Sequence, residues 1–163
     1  MRTNLYLIET ASKHGIPLVG VENKDTLDRL PLQDGAGYII NLQNEKAIDG
    51  KFNFGTHWVA LWIENNAVVF FDPFGIIPTF EIQNFICRLR GPIYYNKKEI
   101  QNVHAGNCGD YCLFFLKFMS DNKRRIPDIY NRLKSFQNIF VSDTSQNTKI
   151  LHDVWPPSRQ PSR

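Results

Sequence analysis

A chain of 163 residues with 42% hydrophobic and 13% aromatic side chains is long and apolar enough for one domain with a single buried core. Its formal net charge of +3 is mild, no apolar run reaches the ~18 residues of a membrane span, and the first residues lack the pattern of a secretory signal. We therefore expect a soluble, intracellular protein that is neither secreted nor membrane-bound. Three cysteines, Cys87, Cys108 and Cys112, are too few and too odd in number for a disulfide framework, so thiols are available for chemistry.

The hydrophobic pattern predicts an α+β domain. It indicates, in chain order, a helix over residues 4–14 with Leu5, Ile8 and Ala11 on its apolar side, strands beginning at residues 37, 56 and 67, a helix over 79–89, a short strand at 91–96, a helix over 109–122 and a last helix after 127. Strands and helices that come in separate runs favour α+β over regular βαβ winding. We expect one domain over residues 1–152 and a flexible tail over 153–163, which is rich in Pro, Ser and Arg.

The strands that begin at residues 56 and 67 form a predicted β-hairpin. Asn65 and Asn66 between them suit a two-residue loop, because asparagine tolerates positive φ. With this loop, Val59 faces Asp72, and His57 lies on the same face, one diagonal position away. Such neighbours are roughly 7–8 Å apart before their side chains extend. The sequence therefore predicts an imidazole and carboxylate pair, which a register slip of one residue would separate.

Cys108 lies where a loop containing Gly and Asn ends and a long apolar helix begins, in the string QNVHAGNCGDYCLFFLKFM. The first turn of a helix presents unpaired N–H groups and a partial positive charge, which favour a thiolate and offer donors to an oxyanion. Cys112 lies one turn further along, and Cys87 lies in an apolar stretch, so we expect both to be inert packing residues. Cys108 is the candidate nucleophile.

Each of these residues also has a structural interpretation. Cys108 alone fits a small core residue, and His57 alone fits a hydrogen-bonded structural histidine. His104 is an alternative base without an evident orienting carboxylate, while Asp110 fits an acidic residue in a first helical turn. A metal site would use the side chains of His57, His104, Cys108 and Cys112. It would lack the usual zinc spacing, so we predict no metal and no required cofactor.

Four segments in combination resemble a protease family. GTHWVALW, VVFFDPFG, Gln101 and CGDYCLFFL follow one another in the order His, acid, Gln, Cys. This order resembles the adenovirus maturation protease family, adenain, and its relatives encoded by virophages and Maverick/Polinton elements; it is more distantly similar to the SUMO-deconjugating proteases. The resemblance covers most of the chain. It implies a small mixed β-sheet whose antiparallel hairpin carries His and Asp, packed on a buried central helix that starts at the nucleophile.

The resemblance also implies roles for single residues. His57 would be the general base, Asp72 its orienting acid, Gln101 a side-chain oxyanion donor and Cys108 the nucleophile. Asp72 is a departure from the adenovirus enzyme, which has a glutamate in an otherwise similar EPFG motif. Trp58 and Phe74 are expected to be core residues that hold the hairpin.

For function, the resemblance implies an endopeptidase that cleaves viral capsid and core precursor proteins at small-residue, Gly-rich sites during virion maturation. It would act as a monomer in the infected cell and the virion interior. A short viral peptide joined by a disulfide, and DNA, are candidate activators, although the spacing of Cys87 does not closely match that of a partner cysteine. Two alternatives stay open, namely a SUMO- or ubiquitin-like deconjugating protease and a nonenzymatic capsid or nucleic-acid binding module.

Overall fold

The computed structural model describes residues 2–46, 48–50, 57–102 and 104–156. Its strands are β1 (Leu18–Asn23), β2 (Ala36–Asn41), β3 (Trp58–Glu64), β4 (Ala67–Phe71) and β5 (Ile93–Tyr95). Its helices are α1 (Asn4–Lys13), α2 (Phe80–Ile86), α3 (Cys108–Asp121), α4 (Ile129–Gln137) and α5 (Asn147–Val154). Within these ranges no helix combines the length and apolar character that a membrane span requires.

The five strands form one mixed sheet in the order β1-β2-β3-β4-β5. Strand β1 runs parallel to β2, the strands β2, β3 and β4 are antiparallel to their neighbours, and β5 runs parallel to β4. Every residue of β2, β3 and β4 is buried, because helices cover both faces of the sheet. The predicted α+β architecture, with a mixed sheet on a buried helix, is confirmed.

Strand β3 lies at the centre of the sheet and contributes to both halves of the core. Trp58 and Trp62 belong to the cluster that contains α3, whereas Val59 and Leu61 belong to the cluster that contains α2. Helix α3 lies very close to the sheet, since a Cβ placed on Gly37 would come within 2.5 Å of a Leu116 methyl group. Because the side chains of β3 alternate between the two clusters, α3, which begins at residue 108, packs against one face of this central strand.

The β3–β4 hairpin has the predicted loop and register. Asn65 and Asn66 have φ of +51° and +64°, the conformation that a two-residue turn of this kind requires. The paired positions run back to Ala60 opposite Phe71, one step short of Asp72. Continuing that register by one step places Asp72 opposite the residue before Ala60, as the sequence predicts.

The hydrophobic pattern of the sequence does not predict two of the elements, β1 and α5. Strand β1 has the sequence LVGVEN, which shows no alternation and includes a glycine, and it is recognisable only through its parallel pairing with β2. Helix α5 is largely polar, and Leu151 is its buried apolar residue. Because α5 reaches Val154 and Trp155 is buried against the core, the folded part extends beyond the expected boundary at residue 152. Residues 157–163 of the expected tail lie outside the described residues.

The apolar face predicted for α1 is wrong at Leu5 and Ile8 and right at Ala11. Leu5 and Ile8 are 63% and 46% exposed, whereas Leu7, Thr10 and Ala11 are buried. The buried positions have the spacing of one helix face. Because one of them is a threonine, a pattern based on hydrophobic residues alone selects the adjacent face of the helix instead.

A buried ion pair fixes α4 against the sheet and α3. The Arg132 guanidinium, which is 0% exposed, donates to both carboxylate oxygens of Glu64 at 2.8 and 3.0 Å, and Trp62 Nε1 donates to the same carboxylate at 3.0 Å. Arg132 also donates to the Met119 carbonyl near the end of α3, at 3.0 Å. Burial alone would raise the pKa of Glu64, but the hydrogen bonds from Arg132 and Trp62 hold it below its ordinary value.

Replacing Arg132 with Met keeps much of the side-chain volume but leaves the Glu64 carboxylate buried without its cation. We expect the free energy of unfolding, measured by urea titration, to fall by about 3–5 kcal/mol. The double variant Glu64→Gln with Arg132→Met should recover most of this loss, because no charge then remains buried. A single variant within about 1 kcal/mol of the unaltered chain would contradict a stabilising role for the pair.

Candidate active site

His57 and Asp72 meet at one end of the β3–β4 hairpin. His57 directly precedes β3 and Asp72 directly follows β4. The imidazole Nε2 lies 2.7 Å from Asp72 Oδ1, and the two side chains are 12% and 1% exposed. The predicted imidazole and carboxylate contact is therefore confirmed, and it is shielded from solvent.

Asn96, which follows β5, holds the Asp72 backbone and was not indicated by the sequence pattern. The Asp72 N–H donates to Asn96 Oδ1 at 2.9 Å, and Asn96 Nδ2 donates back to the Asp72 carbonyl at 2.6 Å. Asn96 is 0% exposed. An asparagine directly after a strand usually signals a turn, so only the tertiary contact distinguishes this one.

The segment Asp72-Pro73-Phe74-Gly75 is a tight turn that orients the carboxylate. The Gly75 N–H donates to the Asp72 carbonyl at 2.8 Å, and the Phe74 N–H donates to Asp72 Oδ1, also at 2.8 Å. Gly75 has φ of +72°, and a Cβ there would lie 2.9 Å from the Lys97 carbonyl oxygen, so the turn requires glycine. Oδ1 of Asp72 thus accepts a backbone hydrogen bond in addition to its contact with the imidazole.

The sequence-based expectation that Phe74 is a core residue is wrong, because Phe74 is only half-buried and belongs to neither core cluster. Its ring stacks on the His57 imidazole with centroids 4.3 Å apart and planes 13° from parallel. Trp58, the other expected core residue, is 0% exposed and donates from Nε1 to the Arg2 carbonyl at 3.2 Å. The imidazole is therefore held by a carboxylate at its edge and by an aromatic ring on its face.

Cys108 is the first residue of α3 and is 3% exposed. The backbone N–H of Trp58, the residue after the histidine, donates to Cys108 Sγ at 3.4 Å. Helix α3 therefore delivers the sulfur to the end of β3 where His57 lies. A backbone donor and the helix N-terminus both favour negative charge on this sulfur.

Opposing effects act on the His57 imidazole. Burial lowers its pKa, but the hydrogen bonds and negative charges of Asp72 and Cys108 outweigh burial and raise the pKa to about 9. Nε2 contacts Asp72, while Nδ1 is buried without a hydrogen bond of normal geometry. Cys108 therefore raises the His57 pKa through its negative charge at close range. Nδ1, which Asp72 does not contact, is the imidazole nitrogen that can exchange a proton with the sulfur.

Gln101 lies in the segment that leads to Cys108 and is 1% exposed. Its backbone N–H donates to the Pro73 carbonyl at 2.9 Å, which ties it to the turn after Asp72. Its side-chain Nε2 donates to the Ala105 carbonyl, and its Oε1 is buried without a partner. Because an amide nitrogen carries two hydrogens, the contact with Ala105 leaves one of them for a substrate oxygen.

The other two cysteines differ from each other. Cys112 is 0% exposed, and burial raises its thiol pKa well above the ordinary value, helped by the charges of Cys108 and Asp72. The prediction that Cys112 packs in the core is confirmed. The same prediction for Cys87 is wrong, because Cys87 is exposed at the end of α2, where its Sγ donates to the Asn84 carbonyl at 3.2 Å. The buried face of α2 consists of Ile82, Phe85 and Ile86 instead.

The remaining two candidates differ in burial, since Asp110 is 6% exposed. His104 is exposed in the loop before α3. Asp110 lies in the first turn of α3 and contacts Arg2 Nε at 3.2 Å; burial raises the pKa of Asp110, and Arg2 opposes that shift. Across residues 2–46, 48–50, 57–102 and 104–156, no three His, Cys, Asp or Glu side chains are grouped so as to hold a metal ion.

The fold is similar to that of the ASFV pS273R protease. One crystal structure of that protease aligns with a TM-score of 0.50 at 14% identity, over 92% of this chain and 64% of that chain. The chain has the fold of this protease. The Se-Met crystal structure of the ASFV protease aligns with a TM-score of 0.44 at 17% identity, over 72% of this chain and 43% of that chain. The structure of AvrA delL154 with IP6 and CoA aligns with a TM-score of 0.48 at 15% identity, over 93% of this chain and 68% of that chain.

The chain spans 43% and 64% of the two ASFV protease chains, so it corresponds to part of that protein. No protein-family profile matches the chain, and no curated protein matches its sequence.

The raised pKa of His57 gives stability a pH dependence. Between the ordinary pKa of 6.5 and about 9, the folded chain holds a proton that the unfolded chain has released. This contribution is complete below the lower value and is lost as the pH rises through the upper one. Relative to His57→Gln, we expect the unaltered chain to lose on the order of 2–3 kcal/mol of unfolding free energy over that range. If the difference in unfolding free energy between the two chains, measured by urea titration, stayed constant over this pH range, the raised pKa would be contradicted.

Asn96→Ala removes both hydrogen bonds to the Asp72 backbone. We expect a loss of about 2–4 kcal/mol in unfolding free energy, and a fall in the His57 pKa from about 9 towards 6.5, followed by NMR of the imidazole. Asn147→Ala is a matched control, because Asn147 is 0% exposed and makes three hydrogen bonds away from His57. It should lose similar stability without moving the His57 titration. An equal shift in both variants would show that Asn96 has no specific effect on the pair.

Proposed function

We propose that the chain is an adenain-like cysteine endopeptidase that processes viral capsid and core precursor proteins during virion maturation. The observation that carries the proposal is the His57–Asp72 pair beside Cys108 at the start of α3. This is the arrangement of nucleophile, base and orienting acid that covalent acyl transfer requires. The fold shared with the ASFV pS273R protease supports it.

The first chemical step forms an acyl-enzyme. His57 holds the proton of Cys108, and the thiolate attacks the peptide carbonyl carbon, so that a C–S bond forms and the C=O π electrons move to oxygen. The oxyanion then re-forms the carbonyl, the C–N bond breaks, and the departing amine takes the proton from His57. Asp72 keeps the imidazole oriented and stabilises its charged form throughout.

The second step releases the product. His57 takes a proton from a water molecule, whose oxygen attacks the thioester carbon. The C–S bond breaks, the acid leaves, and the thiolate returns. In both steps the negative oxygen is stabilised by the Gln101 amide and by the backbone N–H of Cys108.

The near-closed surroundings of the sulfur support small residues at the scissile bond. Cys108 is 3% exposed, its Sγ accepts a hydrogen bond from the N–H of the buried Trp58, and the Phe74 ring covers one face of His57. A chain without bulky side chains, such as a Gly-rich segment, reaches such a sulfur with the least displacement of these rings.

Partners and location follow the same family resemblance. We propose action as a monomer in the infected cell and virion, with a viral peptide or DNA as candidate activators. The exposure of Cys87 is compatible with a disulfide to such a peptide. Stimulation by DNA would weaken steeply with rising salt, because it would depend on phosphate contacts.

The first test compares the reactivity of the three thiols towards iodoacetamide as pH varies. We expect Cys108 to be labelled rapidly near pH 6, where an ordinary thiol with pKa of about 8.5 is protonated, and His57→Ala to abolish that labelling. Exposed Cys87 serves as the ordinary thiol and buried Cys112 as the protected one. Labelling of Cys108 only above about pH 8 would favour the nonenzymatic binding module.

The second test uses a blocked peptide that ends in Gly-Gly-aminomethylcoumarin. Cys108→Ala should abolish cleavage, and Gln101→Ala should slow turnover about 10²–10³-fold through loss of one oxyanion donor. Near-normal turnover in either purified variant would refute the role assigned to that residue. Labelling by a SUMO- or ubiquitin-vinyl-sulfone probe would instead favour the deconjugating protease.

A further inference from the structure

Buried polar atoms without a hydrogen-bond partner cluster around the candidate active site. In the part of the chain that the structure describes, seven side-chain N or O atoms are in this state, and five of them belong to His57, Asp72, Gln101 and Asn107. Each such atom costs about 1–3 kcal/mol when it stays unsatisfied. Their concentration in four residues of one site points to groups that a bound ligand can satisfy.

Asn107 contributes two of these atoms, since both Oδ1 and Nδ2 are buried and unpartnered. It directly precedes Cys108 and is the N-cap residue of α3. An N-cap asparagine normally accepts a hydrogen bond from an N–H in the first turn, but this side chain makes no capping bond. Its φ of −115° and ψ of 25° differ from the extended conformation typical of N-caps, which explains why the side chain does not reach back to the helix.

The backbone of Asn107 nevertheless begins the helix. Its carbonyl oxygen accepts from the N–H groups of Asp110 and Tyr111 at 3.1 and 3.2 Å. The helix therefore starts without help from the side chain, and the amide of the residue directly before the nucleophile keeps an unused donor and an unused acceptor.

We propose that Asn107 is a further catalytic residue whose side-chain amide binds the substrate's peptide backbone at the scissile bond. Nδ2 donates a hydrogen bond to the carbonyl oxygen as it becomes negative, and Oδ1 accepts the N–H of a neighbouring substrate residue. An extended peptide satisfies both buried atoms at once. This inference rests on the proposed protease function, and it adds a second side-chain donor beside Gln101, one of whose amide hydrogens is bound to Ala105.

Two substitutions separate this role from helix capping. Asn107→Ala removes the donor, and we expect turnover of the Gly-Gly-aminomethylcoumarin peptide to fall about 10²–10³-fold. Asn107→Asp keeps the shape but replaces the donor with a negative charge, so it should be at least as damaging. If Asn107 served only as a cap, Asp would cap as well as Asn and would retain activity. Asn84→Asp adds the same charge at an exposed position of α2 and should leave turnover unchanged.

A blocked diglycyl aldehyde gives a readout that does not depend on turnover. Its carbonyl carbon accepts the Cys108 sulfur, and the resulting oxyanion takes the proton from His57, so a hemithioacetal forms without a leaving group. We expect Asn107→Ala to need about 10²-fold more aldehyde to protect Cys108 from iodoacetamide, while its alkylation rate without aldehyde stays within about threefold of the unaltered chain. Protection at unchanged aldehyde concentration would overturn the proposal on Asn107 and leave the protease intact.

Failure of the protease function itself has a different signature. In that case Cys108 of the unaltered chain is unreactive near pH 6 and is not protected by the aldehyde, and both proposals fall together. If Asn107→Ala does not fold, as judged by urea titration, Asn107→Asp carries the test alone, because retained protection in that variant would equally overturn the proposal.

Discussion

The register of the β3–β4 hairpin is the constraint on which the site depends. Side chains along a strand alternate between two faces, so a slip of one residue would carry His57 and Asp72 to opposite sides of the sheet. The positive φ of Asn65 and Asn66 fixes a two-residue loop and so excludes that slip. Gly91 allows another segment to approach this loop, since a Cβ there would overlap the Asn66 carbonyl.

The site is assembled from the ends of rigid elements. His57 precedes β3, Asp72 follows β4, and Cys108 begins α3, so each position is set by an element that is buried along most of its length. The ion pair of Glu64 and Arg132 acts at the far end of the same strand, where it holds α4 to β3 and to the last turns of α3. The geometry of the sulfur and imidazole therefore depends on packing well beyond the site.

The sequence predicts the features that are local or that follow from one register. The hairpin loop, the His57–Asp72 contact and the position of Cys108 at a helix start all depend on neighbouring residues or on simple alternation. Asn96 and Arg132 could not be identified in this way, because their partners lie 24 and 68 positions away and the side chains alone do not indicate them. The exposure of Cys87 was mispredicted because an apolar stretch does not reveal which helix face turns inward.

Burial shields the site from solvent, but it also costs free energy because charged and polar groups lose their contacts with water. Burial by itself would discharge the His57 imidazole, yet the pKa is raised to about 9 because the contacts with Asp72 and Cys108 outweigh the loss of solvent. Asn107 and the Gln101 oxygen have no such compensation within the described chain. Contacts within the chain thus stabilise the charge of the imidazole, although His57 Nδ1 and Asp72 Oδ2 have no hydrogen bond of their own, whereas the Asn107 amide and the Gln101 oxygen are left for a ligand. A peptide backbone, with a donor and an acceptor in every unit, is the ligand whose chemistry matches both.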